Sequence, residues 1–250
     1  MKKPKIGFKT EYLFYNEKDK YDSNVIEITT KDKDVSYSMR SIEKVREAIK
    51  DKDASMHSIT KRLFTYPKNK IYTEMCLDII KAEIKLCRLL KIREMIIHLS
   101  QDKLTKKSEK QLREVINFAK KYGVELIYES NCNFSGKITI NVLKKFPDLK
   151  YNLDLGHLNT SIGNKKLGMN LDNFLLNVRD RIVYIHAHNN NGKEDEHKSL
   201  DEGTLDWVHI LDKLDLKKIR KIIMECRGGE AFRKTEKLLK NYLSKKQLSP

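Results

Sequence analysis

A single-domain α/β architecture over residues 1–250, a (β/α)8 barrel, is what this sequence predicts, on three observations. Short apolar runs alternate with longer amphipathic segments. Eight such units share 250 residues, about 31 each, the size of a βα repeat. No glycine-rich phosphate loop follows the first strand, as it normally would in an open doubly wound sheet. With 10 glycines in the chain and neither G-x-G-x-x-G nor G-x-x-x-x-G-K-[ST], nucleotide-cofactor and NTP chemistry are disfavoured.

The expected strands are Lys5 to Phe8, Asn24 to Ile28, Ala54 to His57, Glu94 to His98, Val124 to Glu129, Lys150 to Asp154, Ile182 to His188 and Ile219 to Glu225. Helices are expected where apolar residues recur every three or four positions: Ile42, Val45 and Ile49; Cys76, Ile80, Ile84 and Cys87; Leu112, Val115, Ile116 and Ala119; and Ala231, Thr235, Leu238, Leu239 and Tyr242.

Lys and Arg number 51 against 35 Asp and Glu, a formal net charge of +16, which points to acidic partners such as nucleic acid or phosphorylated metabolites. The basic stretch from Lys217 to Lys246 reads as the solvated outer face of the last helix. The four cysteines, Cys76, Cys87, Cys132 and Cys226, form no C-x-x-C pair, which argues against a zinc ribbon or disulfide scaffold. Cys132 and Cys226 are expected to be small buried hydrophobes. The start has no apolar h-region and no run approaches eighteen apolar residues, so a cytoplasmic protein with no membrane partner is expected. No protein partner is indicated.

Barrel enzymes carry their chemistry at the C-terminal ends of the strands. Here the third strand ends at His57, the fourth at His98, the fifth at Glu129, and the sixth at Asp154 with His157 just beyond. The seventh ends at His186 and His188, and the eighth at Glu225. Successive ends are 41, 31, 25, 34 and 37 residues apart, so residues distant in sequence converge on one mouth. A single histidine or carboxylate there could be structural, but buried carboxylates gathered in such a cluster need a cation to offset their desolvation. The period of two puts Tyr184, His186 and His188 on one face, and Asp195 and His197 are spaced to reach one ion from a loop. His209 reads as an ordinary helix or surface residue. Imidazole and carboxylate donors suit zinc, manganese, iron or magnesium.

NLDLGH, H-x-H, D-x-H-x-S-L-x-E-G and IIMEC together resemble the xylose isomerase-like TIM-barrel superfamily, which contains endonuclease IV and many sugar isomerases and epimerases. The resemblance to the endonuclease IV branch implies nine ligands for three divalent ions, typically zinc, with manganese or magnesium as alternatives. His57, His98 and Glu129 would hold the first, with Glu129 bridging to a second completed by Asp154, His188 and Glu225; His157, Asp195 and His197 would hold the third. His186 is the alternative to His188, which is favoured because a polar residue, Asn191, follows it by three; His186 would then touch substrate or orient the ligand. The isomerase branch implies one ion on Glu129, Asp154, His188 and Glu225, with Glu129 and Glu225 as the acid–base pair. Phosphodiester hydrolysis needs charge neutralisation, a metal-bound hydroxide and a stabilised leaving group, and nine ligands suit it better than they suit an isomerisation. The leading expectation is therefore a metal-dependent phosphodiesterase, with abasic DNA as candidate substrate; a sugar or sugar-phosphate isomerase or epimerase is the alternative and a non-catalytic binding module the third reading. Lys61, Arg62, Tyr66 and Lys68 are candidate phosphate contacts, although the segments from Phe8 to Asn24 and beyond His57 are short for loops that enter a DNA groove.

Overall fold

The computed structural model describes residues 3–11, 23–29, 38–60, 69–99 and 104–248. Lys61, Arg62, Tyr66 and Lys68 lie outside these residues, as does most of the segment between Phe8 and Asn24. Eight parallel strands close into a barrel in chain order: β1 (Lys5–Glu11), β2 (Val25–Thr29), β3 (Asp53–His57), β4 (Glu94–His98), β5 (Glu125–Glu129), β6 (Lys150–Asp154), β7 (Ile182–Ala187) and β8 (Lys221–Met224), which returns to β1. The strands pack inside helices α1 (Met39–Ile49), α2 (Lys70–Leu90), α3 (Lys106–Lys121), α4 (Gly136–Lys145), α5 (Leu155–Gly163), α6 (Leu171–Val178), α7 (Trp207–Asp212) and α8 (Gly229–Leu248). No helix among the described residues is long and apolar enough to cross a membrane.

The long helices follow their sequence signals. In α3, Thr105 caps the start by accepting from Ser108 N at 3.1 Å, Lys120 and Lys121 sit at the negative end of the dipole, and Leu112, Val115, Ile116 and Ala119 are buried. In α2, Asn69 accepts from Tyr72 N at 2.9 Å, and Lys91, at φ 62°, ends the helix in the left-handed region. Of the helices between β5 and β8, α6 carries an apolar stripe, Leu171, Phe174, Leu175 and Val178, whose last three residues are buried. All four are short, and α5 starts directly on Asp154 and buries Asn159, Thr160 and Ser161 beside Leu155 and Leu158, so its buried side is part polar and part apolar.

The seventh strand is one residue shorter than its apolar pattern suggests. Asn189 pairs antiparallel with Lys198 through bonds of 3.0 and 2.9 Å, so the backbone beyond Ala187 turns away from the barrel ladder. Along the interior, period two stacks Glu94, Ile96 and His98 on one face of β4, and Glu125, Ile127 and Glu129 on one face of β5. Ile96, Ile127, Val183 and Tyr184 form a small apolar cluster separate from the main core between strands and helices. Polar ends therefore lie above and below an apolar middle.

At the lower end, Lys221, 1 % exposed, places Nζ 2.7 Å from Asp53 Oδ1 and 3.0 Å from Glu94 Oε2. Tyr184 and Arg220 donate to the same Glu94 carboxylate. Burial pushes the Glu94 carboxyl up, but Lys221, Tyr184 and Arg220 together bring it below the ordinary value. A depressed folded-state value means that the stabilisation is present above the unfolded value, near 4.3, and is lost as pH falls toward the folded one. Glu94→Gln should therefore lower Tm at pH 7, with the gap to wild type narrowing as pH falls from about 5 to 3. A gap independent of pH in thermal melts would contradict this account.

Candidate metal centre

The upper end of the barrel gathers six of the seven histidines. His57 Nε2 lies 3.3 Å from His98 Nε2 and 3.4 Å from Glu129 Oε2, and His98 Nε2 lies 3.6 Å from Glu129 Oε1. Four donors around an ion at about 2.1 Å stand about 3.4 Å apart in tetrahedral geometry, so these spacings fit one cation. Burial, reinforced by His57 and His157 against the pull of Glu129, holds His98 down at about 3 and keeps its ring neutral.

A second group forms around His186. Its Nδ1 is 2.8 Å from Glu225 Oε1, 3.1 Å from Glu129 Oε2 and 3.6 Å from Asp154 Oδ2. Of the two candidates for this group, His186 lies against all three carboxylates and His188 against Asp154. His186 is the last inward-facing residue of β7, whereas His188 lies beyond the strand and turns with the departing chain. His188 Nε2 reaches back to Asp154 Oδ1 at 3.1 Å, while its Nδ1 lies 3.7 Å from Asp195 Oδ1. Asn191 faces the loop, accepting through Oδ1 from Lys193 N and Glu194 N.

The third group centres on Asp195 Oδ2, 3.1 Å from His197 Nε2 and 3.5 Å from His157 Nε2. The Nδ1 of His157 is 2.9 Å from the Ser130 carbonyl oxygen, and that of His197 is 2.7 Å from the Glu225 carbonyl oxygen. Donation to those carbonyls leaves each Nε2 lone pair for a cation. His197 adopts φ 55°, an uncommon conformation for a side-chain-bearing residue, held by the Asn189–Lys198 bridge and by Arg227 N donating to its carbonyl at 2.8 Å. Its ring stacks on His188 with centroids 4.1 Å apart. Cys132, expected to be an inert hydrophobe, instead lies with His157 and Asp195, their ligand atoms within 4.8 Å of one another. Cys226 is turned away toward the Ala187 and Lys198 carbonyls and Thr235.

The charges are mutually dependent. Burial alone would raise Glu129, Asp154 and Glu225, but the surrounding imidazoles hold all three carboxyls below their ordinary range; Lys9 also acts on Glu225. Those carboxylates in turn raise His157 and His186 against the effect of burial. Even so, His98 Nδ1, His186 Nδ1, His188 Nδ1 and Asp195 Oδ1 are buried with no hydrogen-bond partner among the described residues. His186 Nδ1 lies 2.8 Å from Glu225 Oε1, and imidazole nitrogens facing carboxylate oxygens in this way are donors of the kind that bind zinc, manganese or iron. The donor set therefore fits divalent metal.

Two residues of this centre escaped the strand-end reading because they do not end strands. Glu27, fully buried in β2, lies 3.2 Å from His186 Nε2, and Lys9 of β1 donates to Glu225 Oε1 at 2.7 Å. The available signal was a lone carboxylate inside the apolar run Val25–Ile28. His209 is partly exposed on α7, 3.0 Å from Asp172, remote from the cluster.

The family described as xylose isomerase-like TIM barrel matches residues 19–242. The chain belongs to that family. Among solved structures, a D-tagatose 3-epimerase-like protein is 20 % identical, with a TM-score of 0.77 over 95 % of this chain and 97 % of its own. The zinc-soaked TTHB071 protein of Thermus thermophilus is 15 % identical, with a TM-score of 0.75 over 96 % of this chain and 98 % of its own. Endonuclease IV of the same organism is 17 % identical, with a TM-score of 0.67 over 97 % of this chain and 100 % of its own. At these identities the likeness is one of fold, shared by sugar epimerases and an endonuclease. Protein MJ1311 of Methanocaldococcus jannaschii is 31 % identical over 141 residues, 53 % of this chain and 47 % of its own. The chain thus spans about half the length of that curated relative.

Proposed function

We propose that this barrel is a divalent-metal-dependent hydrolase of phosphodiester bonds, of the endonuclease IV type, with zinc as the leading metal and abasic DNA as the first substrate to test. The observation that carries the reading is the convergence of donors in three adjoining groups: His57, His98 and Glu129; Glu129, Asp154, His186 and Glu225; and His157, Asp195 and His197. A single-ion isomerisation uses only the middle group. It would leave five further buried or half-buried donors with no chemical task.

Bound divalent ions would supply Lewis acidity and water activation at neutral pH. The chain's own residues hold the positions. Glu129 directs Oε1 toward His98 and His157 and Oε2 toward His57 and His186, so one carboxylate serves neighbouring groups. Lys9 balances Glu225, and the net charge of +16 favours approach of a polyanionic backbone. Glu27 fixes the His186 ring by accepting from Nε2, so that Nδ1 faces the donors. Glu27→Gln should weaken metal affinity about tenfold in chelator-competition titrations with unchanged circular dichroism. Unaltered affinity would remove Glu27 from the site.

A second reading, a sugar or sugar-phosphate epimerase with one ion in the middle group, is supported by the way Glu129 and Glu225 flank His186. Elemental analysis of the purified protein, followed by nicking assays on abasic DNA with and without chelator, separates the two. About three ions per chain and chelator-sensitive nicking are expected; about one ion, with turnover of a ketose and none of DNA, would establish the second reading instead.

A further inference from the structure

We infer that Cys132 is a thiolate ligand of the outermost ion, so that the third group is a Cys132, His157, Asp195 and His197 site. This rests on the reading of that group as a metal site, and it adds a donor of different chemistry. The Cys132 sulfur, a His157 ring nitrogen and an Asp195 oxygen all lie within 4.8 Å of one another, and the thiol shares a hydrogen bond with His157.

The segment carrying Cys132 is anchored on both sides. Asn131 Nδ2 donates to the Leu99 carbonyl at 3.0 Å, Asn133, at φ 59°, accepts from Asn164 Nδ2 at 2.7 Å, and Phe134 N donates to Ser161 Oγ at 2.9 Å. The Ser130 carbonyl that orients the His157 ring belongs to the same segment, so one short loop sets both donors. An independent observation points to a ligand at this place. His188 is fully buried, its Nδ1 has no hydrogen-bond partner among the described residues, and that atom lies 3.7 Å from Asp195 Oδ1, which is also unsatisfied.

Thiolate changes what the site selects. Sulfur favours zinc and cobalt over magnesium and manganese, and four protein donors make the closed pattern of a site that holds its ion rather than exchanging ligands. The open position for substrate then falls to the three-donor group of His57, His98 and Glu129. On binding, the S–H bond breaks, the sulfur lone pair goes to the ion and the proton is released to solvent.

The test is to load metal-free protein with cobalt(II), count the cobalt by elemental analysis and record the near-ultraviolet spectrum. Three cobalt ions per chain with a sulfur-to-cobalt charge-transfer band are expected, the band being lost in Cys132→Ser and kept in Cys226→Ser. Three ions without the band, or a band that survives Cys132→Ser, would overturn the cysteine ligand while leaving the three-ion reading in place. Fewer than three ions would overturn that reading, and this inference with it. A measurement on the unmodified chain guards against a misfolded variant: alkylation of Cys132, followed by mass spectrometry, should slow at least about tenfold on loading with zinc. Equal rates with and without zinc would also overturn the assignment.

Discussion

Glu129→Gln is expected to lower phosphodiesterase activity by about 10²–10³-fold, from the several kcal/mol that bound metal contributes to the transition state at 1.36 kcal/mol per decade. The effect is large because each oxygen of this carboxylate faces a different pair of imidazoles. An amide retains the volume but removes the negative charge, and its nitrogen is no metal donor. Metal content should fall toward the single ion of the His157, Asp195 and His197 group. Asn152 Nδ2 donates to Glu129 Oε2 at 2.8 Å, so the amide can turn its oxygen toward Asn152 and the variant should still fold. Wild-type metal content together with wild-type activity in this variant would remove Glu129 from the centre.

Gly156→Ala should destabilise the metal-free protein by about 3 kcal/mol, as overpacking of a closed interior does. For a chain of this length that is a Tm decrease of about 6–12 °C. A methyl group at this position would meet His188 Cε1 at 2.0 Å and Nδ1 at 2.4 Å. The ring cannot retreat, since it is fully buried and stacked on His197. The helix cannot retreat either, because Asn190 Nδ2 donates to the Gly156 carbonyl at 2.9 Å. The same substitution in a His188→Ala background, where the ring is gone, should lower stability by less than about 1 kcal/mol. Equal losses in both backgrounds, read from chemical denaturation, would show that the contact is not the cause.

Period and spacing made the barrel legible because each of the eight expected strands overlaps one in the fold, although β1 runs on to Glu11 and β8 is shorter, Lys221–Met224, with Glu225 just beyond it. The β4 and β6 bounds follow directly from the apolar pattern, and the strand-ending His57, His98 and Glu129 come together at the mouth. What stayed hidden depends on backbone direction and on contacts between distant segments. That His186 lies against Glu129, Asp154 and Glu225 while His188 lies between Asp154 and Asp195 could not be read from H-x-H, because the antiparallel bridge that ends β7 is made by Asn189 and Lys198, outside the motif. Glu27 and Lys9 carry no motif, and only closure of β1 against β8 and β2 brings them beside Glu225 and His186. Cys132 gave no sign because its partners His157 and Asp195 come from later turns of the chain.

Asp154 performs two tasks with one carboxylate. Oδ1 accepts from His157 N at 2.7 Å and so starts α5, while the same carboxylate meets His188 Nε2 at 3.1 Å and, through Oδ2, His157 Nδ1 and His186 Nδ1, both at 3.6 Å. The onset of a helix and the position of a donor are thus one event, without an intervening loop to absorb error. An insertion of a single residue between β6 and α5 would displace the cap, the Gly156 seat of His188 and the His157 donor together. A redesigner can therefore alter this corner only by exchanging it as a block, strand end and first helical turn included.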